Sequence, residues 1–155
     1  MSEVIVLYDG YSLMNGEDQM DANCSCTLIK GPHNIIIDTM TCWDGEKIIA
    51  GEEYLINDSV KVIPTPGHTL SDVTVLVTTT NDGIVAIAGD LFEKYEDIEN
   101  PNIWMEAGSE DPVQQRKHRH KVATLANWVI PGHGSKFKIT DSIRDTLKTQ
   151  ILNVV

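Results

Sequence analysis

The sequence predicts an α/β or α+β domain in which sheets and helices pack in layers. In the first half of the chain, short β-branched runs are separated by tight turns, which is typical of antiparallel strands. In the second half, strands alternate with longer segments of helical pattern. This order of elements favours sheets that are covered by helices. At 155 residues the chain has the size of one domain, and we expect a single domain over residues 1–155.

Hydrophobic runs bounded by turn residues predict the strands of the first half. These strands cover residues 4–8, 25–30, 34–39, 53–56 and 60–63. Asn57-Asp58 lies between the last two strands and predicts a hairpin turn. Residues 11–23 are polar and predict a loop, whereas residues 43–50 predict one or two turns of helix. Residues 91–110 are acidic and predict an irregular segment.

The second half adds four strands and two helices. The predicted strands cover residues 73–79, 84–88, 127–130 and 137–139. Asn81-Asp82-Gly83 joins the first two of them as a hairpin. Asp111-Pro112 offers a cap followed by proline, and it predicts a helix that runs to about residue 126. Asp141 is predicted to cap a final helix at the end of the chain.

Three predicted strands run into a glycine and then deliver a residue that can bind a metal ion. The runs end on His68, Asp90 and His133. Imidazole nitrogens and carboxylate oxygens are ligands that zinc favours, and strand ends hold them rigidly. Because the three runs share one construction, we expect their ends to meet at one edge of a sheet. The sequence therefore predicts a metal site formed by these three residues.

Each of these residues has a simpler interpretation when it is considered alone. A histidine after Pro-Gly is more often part of a turn than a metal ligand, and Asp90 is also suited to cap the segment that follows. The repetition favours the metal site. His118 and His120 lie two residues apart on a predicted helix, where side chains point to nearly opposite sides, so we predict that they do not chelate a metal. The sequence contains neither a Gly-x-Ser-x-Gly elbow nor a Gly-rich phosphate loop.

The charge of the chain opposes non-specific binding of nucleic acid. With 12 basic and 23 acidic side chains, the formal net charge is −11 at pH 7. One basic cluster, formed by Arg116, Lys117, Arg119 and Lys121, is a candidate for contacts with RNA phosphates. The alternative for this cluster is a solvated helix face. No hydrophobic run approaches the ~20 residues of a membrane span, so we expect no membrane partner and a location in the cytosol or nucleus.

The motifs around the strand ends resemble those of the metallo-β-lactamase superfamily. Five motifs carry the resemblance. They are a strand at 34–39 that ends in Asp-Thr, Thr-Pro-Gly-His-Thr at 65–69, Ala-Gly-Asp-Leu-Phe-Glu at 88–93, Ser-Glu-Asp-Pro at 109–112 and Val-Ile-Pro-Gly-His-Gly at 129–134. The resemblance implies an αβ/βα sandwich with two metal ions, usually zinc, at one edge. It implies that His68 binds the first ion, that His133 binds the second, and that Asp90 bridges both.

The resemblance also implies a function. Members of the superfamily are hydrolases, and one with similar motifs is described as an endoribonuclease in 3′-end processing of replication-dependent histone pre-mRNA. A two-metal site suits phosphodiester cleavage because it activates water and stabilises the attacking and leaving oxygens. RNA is then the expected partner. A glyoxalase-II-like thioester hydrolase shares the fold and is an alternative.

The sequence departs from the family at its most characteristic motif. His-x-His-x-Asp-His is expected after the strand that ends at Asp38, but the chain does not contain it. We therefore predict a truncated metallo-β-lactamase-type sandwich with an internal deletion near residues 50–53. Each metal position then keeps one histidine and a share of Asp90, so we expect one zinc ion or none. A catalytically inactive isoform or binding subunit is a second alternative, and the surface uncovered by the deletion favours a partner such as a second copy of the chain in a homodimer.

Overall fold

The structure is a computed structural model that describes residues 2–14, 20–32, 34–37 and 53–152. Its strands are β1 (Glu3–Tyr8), β2 (Tyr11–Met14), β3 (Met20–Asn23), β4 (Cys26–Lys30), β5 (Ile35–Ile37), β6 (Tyr54–Asn57), β7 (Val60–Pro64), β8 (Val73–Thr78), β9 (Ile84–Gly89), β10 (Trp128–Pro131) and β11 (Phe137–Lys138). Its helices are α1 (Asn102–Ala107), α2 (Pro112–Leu125) and α3 (Asp141–Leu152), and a 3-10 helix covers Tyr95–Ile98. None of the helices in these residues is long and apolar enough to cross a membrane.

The described strands form three sheets. The largest has the order β11-β10-β9-β8-β7-β6, a second has the order β1-β4-β5, and β2 pairs with β3. In the large sheet β9 and β10 are parallel, and the other neighbouring strands are antiparallel. A parallel pair requires a long crossover connection, and here that connection contains α1 and α2.

The two faces of the large sheet bury separate hydrophobic clusters. On β9, Val85 and Ile87 belong to the cluster shared with the three-stranded sheet, whereas Ala86 and Ala88 belong to the cluster shared with the helices. Successive side chains of a strand point to opposite faces, so a strand buried on both sides is a continuous hydrophobic run. The layers of small sheet, large sheet and helices confirm the predicted α/β or α+β class.

Two segments differ from the prediction. Residues 11–23, predicted as a loop, contain the β2–β3 hairpin. Residues 91–110, predicted as irregular, contain the 3-10 helix and α1, because the completely buried Trp104 anchors this acidic segment to the core. Their polar composition concealed both elements. The predicted helix at 43–50 and the predicted deletion near 50–53 lie outside the described residues.

Both long helices begin at a polar cap. The Asp111 carboxylate accepts hydrogen bonds from two N–H groups of the first turn of α2, which confirms the predicted start of that helix. At the start of α3 the cap is Thr140 rather than Asp141, since the Thr140 hydroxyl accepts from the N–H of Ile143 at 3.3 Å.

Strand β6 forms an exposed edge of the large sheet. Its residues Tyr54, Leu55 and Ile56 are apolar and exposed, and among the described strands nothing pairs with its outer edge. An edge of this kind offers unpaired N–H and C=O groups to a further strand.

Candidate metal centre

Three loops at one edge of the large sheet carry the predicted metal ligands. Strands β7 and β9 point in the same direction because both are antiparallel to β8, and β10 is parallel to β9. Their carboxyl ends therefore lie at the same edge. His68, Asp90 and His133 follow these three ends. The repeated strand-and-glycine construction thus places all three residues on one rim.

The three side chains come together on this rim. Nε2 of His68 is 3.5 Å from Oδ2 of Asp90, and Nε2 of His133 is 3.3 Å from Oδ1 of the same carboxylate. Ligand atoms that bind one zinc ion at about 2.0–2.2 Å in a tetrahedron lie roughly 3.3–3.6 Å apart. The observed separations therefore fit donor atoms around a metal ion.

Both histidines present the same ring nitrogen to Asp90. Nδ1 of His68 is 2.8 Å from the carbonyl oxygen of Gly108, and Nδ1 of His133 is 3.2 Å from that of Tyr11. A carbonyl oxygen only accepts, so each Nδ1 donates its proton, and in the neutral ring Nε2 keeps a lone pair directed at the carboxylate. An Nε2 lone pair and the Asp90 carboxylate repel each other, and a metal ion bound between them removes this repulsion. Metal-binding histidines are commonly held through Nδ1 in this way, so the donor set fits a metal ion.

Gly132 leaves the space that the Asp90 carboxylate occupies. A Cβ atom at residue 132 would lie 1.8 Å from Oδ1 of Asp90. The N–H of Gly132 donates to the carbonyl oxygens of Gly89 and Phe92, both at 3.0 Å, which joins the two loops. Burial by itself raises the pKa of the Asp90 carboxyl, but when the imidazoles are protonated, the hydrogen bond from His133 and the charges of both histidines lower that pKa below its usual value. Asp90 is therefore ionised at neutral pH.

A fourth side chain, that of Glu93, lies in the same centre, although the strand-end pattern does not predict it. Glu93 is only 4% exposed, and its Oε2 is 3.8 Å from Nε2 of His133. Glu93, Asp90 and His68 each offer a ligand atom, and these atoms lie within 4.8 Å of one another. Burial, and after it the negative charge of Asp90, raise the pKa of Glu93 to about 7.

The sequence signal for Glu93 is its spacing from Asp90. The first two N–H groups after Asp90 donate to carbonyl oxygens three residues earlier, those of Ala88 and Gly89. In a 3-10-type turn, side chains three residues apart lie on the same side. An acidic residue at the third position after a candidate aspartate ligand is therefore a usable signal when that aspartate follows a strand and a glycine.

Helix α2 supports two of the three loops from behind. Gly67 packs so closely on it that a Cβ atom there would lie 2.4 Å from Cα of Gln115. The buried Gln115 side chain donates from Nε2 to the carbonyl oxygen of Asp90 at 3.1 Å. Nδ1 of His118 is 2.8 Å from the carbonyl oxygen of Pro66. Two of the candidate ligands are thus attached, through their loops, to the same helix.

The structure corrects the prediction that Arg119 contacts RNA. Arg119 is completely buried, and its guanidinium donates to both carboxylate oxygens of Asp97, at 2.5 and 3.0 Å. It also donates to the carbonyl oxygen of Leu91 at 2.9 Å. This side of α2 faces the core, so an arginine here has an internal acid as its partner and cannot reach a nucleic acid.

The other three residues of the basic cluster differ in exposure. The guanidinium of Arg116 lies over the ring of Trp104, 5.1 Å from its centre, and the side chain is half-buried. Lys117 is exposed, and Lys121 is half-buried. The cluster is therefore neither a single phosphate-binding face nor a fully solvated one, and of its four members Lys117 and Lys121 are the best placed to contact RNA.

No family model matches the chain, but several known proteins have similar sequences. Metallo-β-lactamase domain-containing protein 1 from Xenopus laevis is 28% identical over 193 residues, which cover 88% of this chain and 81% of the frog protein. The matched length exceeds the 155 residues of this chain, so part of the frog protein has no counterpart here. The protein of the same name from Mus musculus is 38% identical over 99 residues, which cover 63% of this chain but only 35% of the mouse protein.

A solved structure has a similar fold. The crystal structure of a protein described as a metallo-β-lactamase from Thermotoga maritima matches with a TM-score of 0.62 and 16% sequence identity. The match covers 88% of this chain and 99% of that chain. At this identity the likeness concerns the fold, in which sheets and helices follow the same layered plan.

Proposed function

We propose that this chain is a metal-dependent hydrolase of the metallo-β-lactamase superfamily and that it cleaves RNA; its sequence relatives and its fold support the superfamily. The proposed reaction is endonucleolytic cleavage in 3′-end processing of replication-dependent histone pre-mRNA. The observation that supports hydrolysis most directly is the approach of two histidine Nε2 atoms to one Asp90 carboxylate at 3.5 and 3.3 Å. The choice of RNA rests on the resemblance of the sequence motifs.

The residues of the centre have distinct tasks in this proposal. When bound, a metal ion such as zinc activates water near neutral pH and polarises the bond to be cleaved. His68, Asp90 and His133 hold the ion. The carbonyl oxygens of Gly108 and Tyr11 fix the orientation of the two imidazoles. The centre is partly buried, which strengthens the attraction between the Asp90 charge and a cation.

We also propose that the chain lacks an internal block of the family's fold. The absence of His-x-His-x-Asp-His and the part of the frog protein without a counterpart both support this proposal. A smaller number of ligands favours one zinc ion over two. The exposed apolar edge of β6 favours a partner that covers it, such as a second copy of the chain.

Removal of bound metal with a chelator is expected to abolish RNA cleavage, and added zinc is expected to restore it. Asp90→Asn is expected to lower the zinc-restored rate by at least about 10-fold, because it removes the charge that both histidines face. The measurement is cleavage of a histone pre-mRNA 3′-end substrate over a zinc titration. Asp58→Asn makes the same chemical change in the exposed β6–β7 turn and is the matched control.

Three results would contradict the proposed reaction. An Asp90→Asn variant as active as the control would exclude this centre. Turnover of small thioesters without RNA cleavage would favour the glyoxalase-II-like alternative. Zinc binding without hydrolysis of either substrate would favour a catalytically inactive binding subunit.

Charge reversal at Lys117 and Lys121 is expected to weaken RNA binding. The slope of log K against the logarithm of the salt concentration reports the number of phosphate contacts. If both lysines contact phosphates, this slope should fall in the double variant Lys117→Glu/Lys121→Glu by the amount that about two contacts contribute. Fluorescence anisotropy at several salt concentrations measures both quantities. The double variant Lys138→Glu/Lys148→Glu makes the same change in net charge at two exposed positions on β11 and α3, and it is the matched control. Equal affinity and equal salt dependence in the double variant and this control would remove the two lysines from the RNA interface.

A further inference from the structure

Two buried acidic side chains lie close together in sequence, and only one of them is neutralised by an arginine. Asp97 is completely buried and is bound by the guanidinium of Arg119. Glu93 is 4% exposed, and within the described part of the chain no arginine or lysine forms an ion pair with its carboxylate. Its ion pair there joins Oε2 to Nε2 of His133 at 3.8 Å, which is too long for a hydrogen bond. Packing alone does not explain a buried carboxylate in this condition.

The backbone fixes Glu93 between two loops of the metal centre. Its N–H donates to Oδ2 of Asp97 at 2.8 Å, and its carbonyl oxygen accepts from the N–H of His133 at 2.9 Å. The side chain brings a ligand atom to within 4.8 Å of those offered by His68 and Asp90. Two ionised carboxylates at this separation repel each other, and the repulsion is relieved when one of them is protonated or when a cation lies near both.

We propose that Glu93 is a ligand of a single metal ion that it shares with His68 and Asp90. This inference rests on the proposed metal-dependent function. Three protein ligands are the number that a catalytic zinc site normally has. The chain lacks the histidine-rich motif, and Glu93 supplies a donor atom in its place. The centre would then hold one ion, whereas the family's centre holds two. In this inference Glu93 takes the ligand position given to His133 in the proposed function, and His133 instead contacts the opposite oxygen of Asp90, at 3.3 Å from Oδ1.

Ligation and a more distant electrostatic effect differ in their response to a shorter side chain. Glu93→Gln removes the charge and weakens metal binding in either case. Glu93→Asp keeps the charge but withdraws the carboxylate by one methylene group, so it weakens binding only if the carboxylate contacts the ion. Glu96→Gln makes the same change as Glu93→Gln at an exposed position three residues later and is the matched control.

The test is a zinc titration of metal-free protein against a chromogenic chelator, with stoichiometry from native mass spectrometry. The unchanged protein is expected to bind one ion. Glu93→Gln is expected to lower the affinity by more than about 100-fold, beyond the effect usual for groups outside the ligand set. Glu93→Asp is expected to weaken binding as well and to shift the visible absorption of the cobalt(II)-substituted protein. Glu96→Gln is expected to match the unchanged protein in both measurements.

Two groups of results distinguish this inference from the proposed function. Wild-type affinity in Glu93→Gln, wild-type affinity in Glu93→Asp, or two bound ions would overturn the ligand role and leave metal-dependent hydrolysis in place. Failure of the unchanged protein to bind zinc would overturn both. Circular dichroism of the metal-free variants checks the fold, which Glu93→Gln is expected to keep because the substitution removes a buried charge.

Discussion

Replacement of Asp97 with alanine is expected to lower the free energy of unfolding by about 3–5 kcal/mol. The change leaves the guanidinium of Arg119 buried, with the carbonyl oxygens of Leu91 and residue 97 as acceptors but without the carboxylate that now binds it. A buried cation that loses its counter-ion destabilises a protein strongly. Since domains of ordinary stability unfold with about 5–15 kcal/mol, much of the stability would be lost. Urea denaturation followed by circular dichroism measures the effect.

Two further variants distinguish the effect of losing this ion pair from the general effect of a substitution in this segment. Glu96→Ala changes an exposed neighbour and is expected to alter stability by no more than about 0.5 kcal/mol. The double variant Asp97→Ala/Arg119→Met removes both charges and is expected to be more stable than Asp97→Ala alone. A urea midpoint of Asp97→Ala equal to that of Glu96→Ala, or a double variant no better than the single one, would contradict this account of the core.

Gly132→Ala is expected to reduce zinc-dependent hydrolysis by about 100-fold or more. The added Cβ atom would lie 1.8 Å from Oδ1 of Asp90, so the carboxylate must move away from His133. Gly132 is not among the glycines with positive φ, so alanine suits its backbone and the effect acts on the carboxylate. Hydrolysis rate and zinc affinity measure the displacement.

Gly134→Ala is the matched control for this substitution. Its Cβ atom would lie 3.1 Å from Cβ of Lys94, a tight contact that a small shift relieves. We expect this variant to keep most of its activity. If Gly132→Ala and Gly134→Ala hydrolysed substrate equally well, the present position of Asp90 would not be required for the reaction.

The convergence of His68, Asp90 and His133 is visible in the sequence because it depends on local features. Each residue follows a strand-length hydrophobic run and a glycine, and these features determine where a side chain leaves the sheet. The hairpin between β8 and β9 is equally local, since Gly83 has the positive φ of 68° that such a turn requires. The metal-binding role of the three residues stays a prediction that the proposed experiments test.

Arg119 and Glu93 show what the sequence pattern does not contain. Arg119 is one of several basic residues on a helix, and its burial depends on Asp97, which lies 22 residues earlier in a segment that is acidic throughout. Glu93 lies in that same segment, where its charge makes it resemble its exposed neighbours. The β2–β3 hairpin is concealed for a related reason, because its strands are only four residues long and the residues between them are mostly polar. In each case tertiary contacts, rather than local pattern, decide the structure.

The attachment of two loops to α2 has a consequence for how the centre tolerates change. Gly67 packs against Gln115, and the same glutamine side chain holds the carbonyl oxygen of Asp90. A small displacement of the helix therefore moves His68 and Asp90 together, and the distance between the two side chains stays the same. A substitution that shifts α2 as a unit should therefore disturb the centre less than one that moves either loop relative to the helix.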